Sequence, residues 1–426
     1  MNKLLSCPFT LAERLFPIHR SITGNGTRET LSVISEIIPI NIYEIPTGKN
    51  IYDWTIPEEW SIGDAFIENS SGDRIIDISN SNLHVIGYSD SVDKTIALDE
   101  LKKHIFSIEE HPDWIPYITS YYAKNWGFCM THRDLLAMDD DNYYVKIDSF
   151  FKNGSLTYGD LVIPGQTKEE IMISVNICHP SMANNELSGL SVATYLAKYI
   201  LDGSNRRYTY RFVFVPETIG AIAYIHANKD KLKENVVAGY VLTCIGDSGN
   251  FSYLNSMYAN TITDRMTLHI LKYSEESYSL YDYSERGSDE RQYCYPGIDL
   301  PIGSLMRTMY DKYPEYHTSA DNMDFISRES LNESLEKIKL CVDMLDQNKT
   351  YKVTVLCEPQ LGKRNLYPTI STKDSINIVR DFRNVLVYCN GQNSVLDIAE
   401  ILNKPIWKII ESIDMLVLNN LIVEVI

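Results

Sequence analysis

The feature that most constrains this chain is the alternation that begins at Ile171. A β-type run from Ile171 to Ile177 is followed by a helical pattern from Leu190 to Leu201, a second run from Thr209 to Val215, a helix from Ile219 to Leu232, and a third run from Val236 to Ile245. That order predicts an α/β fold whose mostly parallel sheet is flanked by helices on both faces. A further helix after Ser327 keeps a 3.6-residue period through Leu331, Leu335, Ile338, Cys341, Val342 and Leu345 and closes this domain.

The rest of the chain has a different texture. From Thr10 to Ile38 two helical pieces are interrupted by Ser21–Gly26. Short β-type runs then follow at Arg74 to Ile78, His84 to Tyr88, Tyr143 to Asp148 and Leu161 to Ile163, so a separate, mainly β module is expected between about Gly63 and Tyr158. Beyond Val355 a stretch with Pro359, Gly362 and Pro368 reads as a linker. Val395-Leu396-Asp397-Ile398-Ala399 opens a helix, Asn403-Lys404-Pro405 makes a turn, and Ile406 to Asn419 gives a second helix before the strand Leu421 to Ile426. This is the outline of a small winged helix-turn-helix.

Charge and cysteine usage remove several function classes. The 426 residues carry 39 Lys+Arg against 57 Asp+Glu, a formal charge of −18, which repels phosphate backbones and anionic lipid; 44% hydrophobic residues are enough for a large core. From Asn365 to Ile426 five bases face seven acids, whereas a DNA reader presents a basic stripe. The winged segment therefore reads as a packing or homo-oligomerisation element, with no nucleic-acid or membrane partner. Eight scattered cysteines without a C-x-x-C pair read as buried, reduced thiols, and only Leu4 and Leu5 precede Ser6, too few for a secretory leader. The expected compartment is the cytoplasm.

Ligands of open parallel sheets bind beyond the carboxyl ends of the strands. Those positions hold Cys178-His179-Pro180 through Asn185-Glu186-Leu187-Ser188-Gly189, then Pro216-Glu217-Thr218, then Gly246-Asp247, with Ser288-Asp289-Glu290-Arg291 and Tyr316-His317-Thr318 in later loops. Two histidines and several carboxylates gather at one rim, the ligand mix that suits Zn²⁺ with an open catalytic position.

This order of motifs resembles the co-catalytic dizinc aminopeptidases, whose relatives include glutamate carboxypeptidase and glutaminyl cyclase. Leu15-Phe16-Pro17-Ile18-His19-Arg20-Ser21-Ile22-Thr23-Gly24, Trp54 to Trp60, Asn125 to Cys129 and Ser288 to Cys294 resemble the bacterial aminopeptidase-like proteins of polysaccharide-biosynthesis loci, over nearly the whole chain. The resemblance implies an aminopeptidase-like domain at residues 1–62 and 159–352, an inserted β-rich domain at 63–158, and a linker with winged helix at 353–426. It implies that His179 and His317 match the first and last metal-ligand histidines, that Asn185 falls where an aspartate bridges two metals, and that Glu217 matches the general base. Thr218 departs from the second glutamate of the family's pair, Thr243 or Cys244 stands where a third-strand aspartate is expected, and Glu290 follows Asp289 where histidine is common.

Without a bridging carboxylate, two cations are not held within roughly 4 Å of each other, so one zinc ion is expected. His179 and His317 would bind it, with Asn185 or a carboxylate from Glu186, Asp289 or Glu290 completing the shell. Glu186, Arg291, Arg307 and Tyr316 are candidate substrate contacts, the arginines as carboxylate clamps. Tyr117, Tyr121, Tyr122 and Trp126 read as core, and Gly24-Asn25-Gly26-Thr27 as a tight turn rather than an anion loop. The expected activity is zinc-dependent hydrolysis of a peptide or amide bond in a small peptide-like or amino-sugar substrate. The alternative is a metal-containing binding or scaffold protein for a sugar or peptidyl ligand; a regulator acting through the winged helix is third.

Overall fold

The computed structural model describes residues 6–139, 141–364, 366 and 373–425. The leader expectation rests on Leu4 and Leu5, and the linker expectation partly on Pro368, all outside the described residues. Two compact units divide the chain: Met1–Thr263 with Ser279–Glu336, and Asp264–Tyr278 with Lys337–Ile426.

The first unit is built on an eight-stranded mixed sheet in the spatial order Asn41–Pro46, Ser155–Ile163, Thr209–Val215, Glu170–Asn176, Val236–Leu242, Ile302–Met306, Ser252–Leu254, Ser279–Tyr281. The four strands from Thr209–Val215 to Ile302–Met306 are parallel, and antiparallel strands extend the sheet at both sides. Every residue of Glu170–Asn176 and Thr209–Val215 is buried, as strands covered on both faces must be. Connections from Glu170–Asn176 to Thr209–Val215 and from there to Val236–Leu242 run in opposite directions across the sheet. Right-handed crossovers then put the helices Ser188–Asp202 and Ile219–Asn235 on opposite faces. Met172, Val213, Val215 and Val241, alternate residues of three strands, pack with Ile219, Ile222 and Ile225 in one cluster.

Because Glu170–Asn176 is flanked by the next two strands of the chain, the winding reverses beside it, and a crevice opens beyond its carboxyl end. The same unit contains the antiparallel sheet Arg74–Asp77, Glu59–Glu68, Asn142–Lys152, Val92–Ala97, with its own cluster around Ala65, Ile67, Phe128 and Val145. One expected strand is absent: His84 to Tyr88 contributes a 3-10 turn at Asn82–His84 and isolated bridges, since Tyr88 turns to φ +64°. Tyr117, Tyr121 and Tyr122 line the crevice, Tyr121 packing against the core cluster as well, and Trp126 packs against the cluster of the antiparallel sheet as expected.

The second unit holds the helices Lys373–Tyr388, Val395–Leu402 and Ile406–Leu418 and a sheet of Asn390–Ser394, Thr350–Val353 and Ile422–Glu424. The turn at Asn403 is left-handed, φ +49°, and the Ser394 hydroxyl caps the helix it precedes. The sequence pattern misses Thr350–Val353, whose partners lie far along the chain. The described cysteines are free, but Cys357 is exposed and Cys7 half-buried, against the expectation of eight buried thiols. Among the described residues no helix is long and apolar enough to cross a membrane.

Candidate active site

The chain leaves Glu170–Asn176 through Cys178 and His179 and re-enters a helix through a π turn at Ala183–Leu187. That turn carries Glu186 back under the strand end. One oxygen of its carboxylate accepts from the backbone N–H groups of Cys178 and His179, at 2.7 and 2.6 Å, and meets His179 Nδ1 at 2.9 Å. Arg20 closes the arrangement from behind, its Nε donating to Glu186 Oε1 at 3.1 Å and to the His179 carbonyl at 2.9 Å. With Nδ1 engaged, the imidazole presents Nε2 outward, 3.7 Å from Glu217 Oε2. A carboxylate on one ring nitrogen fixes the tautomer and raises the basicity of the other.

Glu217 follows Thr209–Val215 at the start of a strained turn. Thr218 has φ +63° and ψ −78°, and the Ile219 N–H donates to the Glu217 carbonyl across 2.8 Å, which makes the rare γ-turn. Asp289 Oδ1 accepts from the Thr218 N–H at 2.7 Å, and Arg291 Nη2 donates to the Thr218 hydroxyl at 2.5 Å. Burial raises the pKa of Glu217 above the ordinary carboxylate value, against the opposing charges of His179 and Arg291. Burial and the nearby Glu217 push Asp289 up further. A carboxyl raised in this way takes up a proton more readily than an exposed carboxylate, as a proton carrier must.

His317 lies in the loop after Ile302–Met306 with φ +54°, stacked on Tyr316 at 3.9 Å between ring centres. Its ring centre stands 5.5 Å from that of His179, and Tyr117 touches both rings, at 5.2 and 5.3 Å. Burial and the charge of His179 push its pKa down to about 3, so its ring is neutral. Asn185 is anchored at both ends: its N–H donates to Asp321 at 2.9 Å and its carbonyl accepts from the Thr243 hydroxyl at 2.6 Å. Thr243 and Cys244, standing where an aspartate ligand is expected, thus serve to hold Asn185.

Among the buried atoms here without a hydrogen-bond partner, three can donate a lone pair, His317 Nε2, Asn185 Oδ1 and Asp289 Oδ2, while Arg20 Nη2 and Arg291 Nε are unpaired N–H groups. Buried polar atoms are nearly always paired, so three orphans in one neighbourhood mark atoms that could hold a cation or substrate. The closest knot of donor types, Cys178, His179 and Glu186 within 4.8 Å of one another, is a poorer cradle. Its carboxylate is already paired with Arg20, its imidazole nitrogen is hydrogen-bonded, and burial pushes the Cys178 thiol up to about 11, so it stays protonated.

The other expected residues are placed elsewhere. Glu290 is buried and accepts from the Gly287 and Ser288 N–H groups and the Ser304 and Tyr310 hydroxyls, which hold its loop together. Arg307 donates to Ser334, Gly249, Ser330 and Glu333 and lies over the Phe251 ring, outside the crevice lining. Tyr316 backs His317, and Arg291 lines the crevice. Three positions were missed by sequence reasoning: Arg20, Tyr117 and Asp321. An arginine inside the apolar Leu15–Ile22 segment was the available signal for Arg20; nothing local marks the others.

The crevice is a pocket of about 440 Å³ whose lining includes His179, Glu217, Arg291, His317, Trp54 and Tyr117. Several known proteins share this plan. A Clostridium acetobutylicum protein named "Putative polysaccharide biosynthesis protein with aminopeptidase-like domain" is 44% identical over 394 residues, 92% of this chain and 90% of that one. The crystal structure of a "putative peptidase" from the same organism superposes with a TM-score of 0.93 at 41% identity, covering 98% of this chain and 96% of the other. A zinc aminopeptidase from Bacillus subtilis shares the fold at a TM-score of 0.59 and 12% identity, over 79% of this chain and 94% of its own. A family model described as a domain of unknown function, DUF4910, matches residues 9–348, and a winged helix-turn-helix model matches residues 349–424. The chain therefore belongs to the DUF4910 family, with an aminopeptidase-like fold followed by a winged helix-turn-helix domain.

Proposed function

We propose that the crevice is the site of a zinc-dependent amide hydrolase in which His179, His317 and a third donor hold one cation and Glu217 is the proton carrier. The observation that carries this reading is the pair of imidazoles lining one pocket, 5.5 Å between ring centres, beside a carboxylate of raised pKa. Two imidazoles on one tetrahedral zinc, each nitrogen about 2 Å from the metal, hold their ring centres roughly 5 Å apart. Asn185 Oδ1 and Asp289 Oδ2, buried without a hydrogen-bond partner, are the oxygen candidates for the remaining positions, and imidazole with oxygen is the donor set that suits a single zinc ion.

Zinc held there supplies a polarised amide carbonyl and a water of lowered pKa. The chain's own residues do the rest. Glu217 takes a proton from the attacking water and gives it to the departing nitrogen. Glu186 and Arg20 keep His179 in one tautomer, while Tyr117 and Trp54 shield the pocket from bulk water. A role in polysaccharide biosynthesis, named for the 44% identical relative, is the setting in which this chemistry would act.

One observation favours a second reading, a metal-holding binding protein without turnover: Asn185 is neutral and Thr218 offers no carboxylate, so the anionic charge around the cation is low. Zinc analysis and a Glu217→Gln variant separate the two. The hydrolase reading expects about one equivalent of bound zinc and release of amine from an amide panel that vanishes in the variant. Zinc-loaded protein that binds panel members yet turns over none of them favours the second reading.

A further inference from the structure

A second pocket, of about 470 Å³, adjoins the crevice and shares two of its walls, Trp54 and Gln292. Its floor is the helix Ile219–Asn235, whose Ile222 and Ile225 lie on one face and are largely spent on the core. What the pocket offers a ligand is aromatic rings, polar tips and an apolar edge at Pro296 and Ile298. Tyr52, at the turn between the short strands Asn50–Ile51 and Trp54–Thr55, is 53% exposed, and Tyr295 across the pocket is 62% exposed. With Trp54 they set three aromatic rings around a space that also receives a carboxylate, an ammonium and an amide from Asp53, Lys229 and Gln292.

A purely aliphatic side chain would meet Pro296 and Ile298 but would strip water from polar groups of both signs and return no hydrogen bond. The mixture is equally unsuited to a fully charged ligand, because Asp53 and Lys229 offset one another. A pyranose ring has the matching surfaces. One face of C–H groups lies flat on an aromatic ring, and its hydroxyl edge donates to Asp53 and accepts from Lys229 and Gln292.

We propose that the second pocket is a subsite for an N-acetylhexosamine ring, with the acetamido group reaching past Trp54 and Gln292 toward Glu217. The substrate class assigned to the catalytic pocket is thereby an N-acylated amino sugar rather than a peptide. The chemical half of this assignment rests on the hydrolase reading; the binding half does not. Hydrolysis adds one water across the amide C–N bond: the hydroxyl goes to the carbonyl carbon, acetate leaves, and the nitrogen gains its proton through Glu217, leaving a free amine on the sugar.

The test is a titration of the full chain with N-acetylglucosamine, N-acetylgalactosamine and N-acetylmannosamine, followed by saturation-transfer NMR and by indole fluorescence. Tyr295→Ala and Tyr52→Asn are the variants, asparagine being chosen because φ is +52° at Tyr52. Both side chains are exposed, and unchanged thermal melting confirms that the variants fold. At least one sugar is expected to saturate in the millimolar range, with each variant weakening it about fivefold, the worth of one aromatic contact. No binding of any of the three up to about 50 mM, or binding that both variants leave untouched, overturns the subsite. Because binding is read without turnover, the outcome is independent of the hydrolase reading. Cleavage of peptide amides without sugar binding would keep that reading and remove this one, whereas sugar binding with no acetate release would keep the subsite and overturn the deacetylation assigned to it.

Discussion

The backbone N–H of Tyr117 donates to the carbonyl of His317 across 2.9 Å. A bridge between Pro116 and Thr318, and bonds from Ile115 N–H to the Ser319 hydroxyl and from Ser319 N–H to the Ile115 carbonyl, continue the pairing on either side. The His317 loop is therefore fixed by a segment that precedes the strand Glu170–Asn176 in the chain, and the Tyr117 ring packs against both imidazoles. Truncating that ring frees both. Tyr117→Ala is expected to weaken zinc binding roughly tenfold, whereas Tyr117→Phe, which keeps the ring, stays close to the native value. Competition with a chromogenic chelator reads the difference, and equal affinities in the two variants would remove Tyr117 from the support of the site.

Glu186 was expected to touch metal or substrate, but its position makes it the counter-charge that Arg20 needs and the anchor of His179. Both members of the ion pair are essentially inaccessible. Removing one charge leaves the other buried and uncompensated, so Glu186→Gln should cost about 3–5 kcal/mol of stability as well as zinc affinity. Arg20→Met combined with Glu186→Gln should recover most of the stability and none of the affinity. Urea denaturation beside metal titration tests both halves; a double variant no more stable than the single one would mean that the pair is not what the buried space depends on.

The parallel core was legible because its strands are separated by helices with their own periodicity, and because the loops after the strands carry polar residues that a core would exclude. His179, Glu217 and His317, picked out by their position in those loops, line one pocket. What could not be read were the residues that act through long-range packing. Tyr117, Tyr121 and Tyr122 sit in a stretch whose aromatic content looks like core, and they line the pocket where residues 115–117 pair with the His317 loop and 119–120 with Gly87. Glu290 and Arg307 had the charge and loop placement of site residues, yet each finds four protein partners nearby. Competition between a functional role and a local hydrogen-bond network is invisible to spacing. The strand Thr350–Val353 was missed for a similar reason: both its neighbours come after it by tens of residues, so no hairpin signal marks it.

Thr218 occupies a backbone conformation that an L side chain resists, held there by Asp289 and Arg291. Replacing it by glycine or alanine removes the hydroxyl equally, so the two variants differ mainly in the strain of carrying a Cβ at φ +63°. The glycine variant should be the more stable by about 1 kcal/mol, the cost of a non-glycine residue in the left-handed half of backbone space. Equal midpoints in urea would show that the turn relaxes rather than storing strain. The comparison also isolates the geometry of Glu217, because a relaxed turn would let its side chain drift from His179.

The second unit contains a histidine whose neutral form is structural. His269, on the helix Ile262–Ser274, accepts a hydrogen bond at Nε2 from the backbone N–H of Ile406 at 3.0 Å. Ile406 is the first residue of the helix Ile406–Leu418, which follows Pro405 and has no side-chain cap of its own. An imidazolium has no lone pair to accept with, and burial pushes the pKa of His269 down to about 4, with Lys272 and Arg265 adding to the effect against the pull of Glu400. The folded pKa lies below the unfolded value near 6.5, so the unfolded chain binds more protons in between. The contribution is complete above the unfolded pKa, falls as the pH drops, and is lost below about 4. Amide exchange at the start of Ile406–Leu418 should accelerate over that window relative to the strands of the first unit. His269→Gln keeps an acceptor that does not titrate and should flatten this extra acid sensitivity; native and variant chains with the same pH slope at those amides would rule the capping role out.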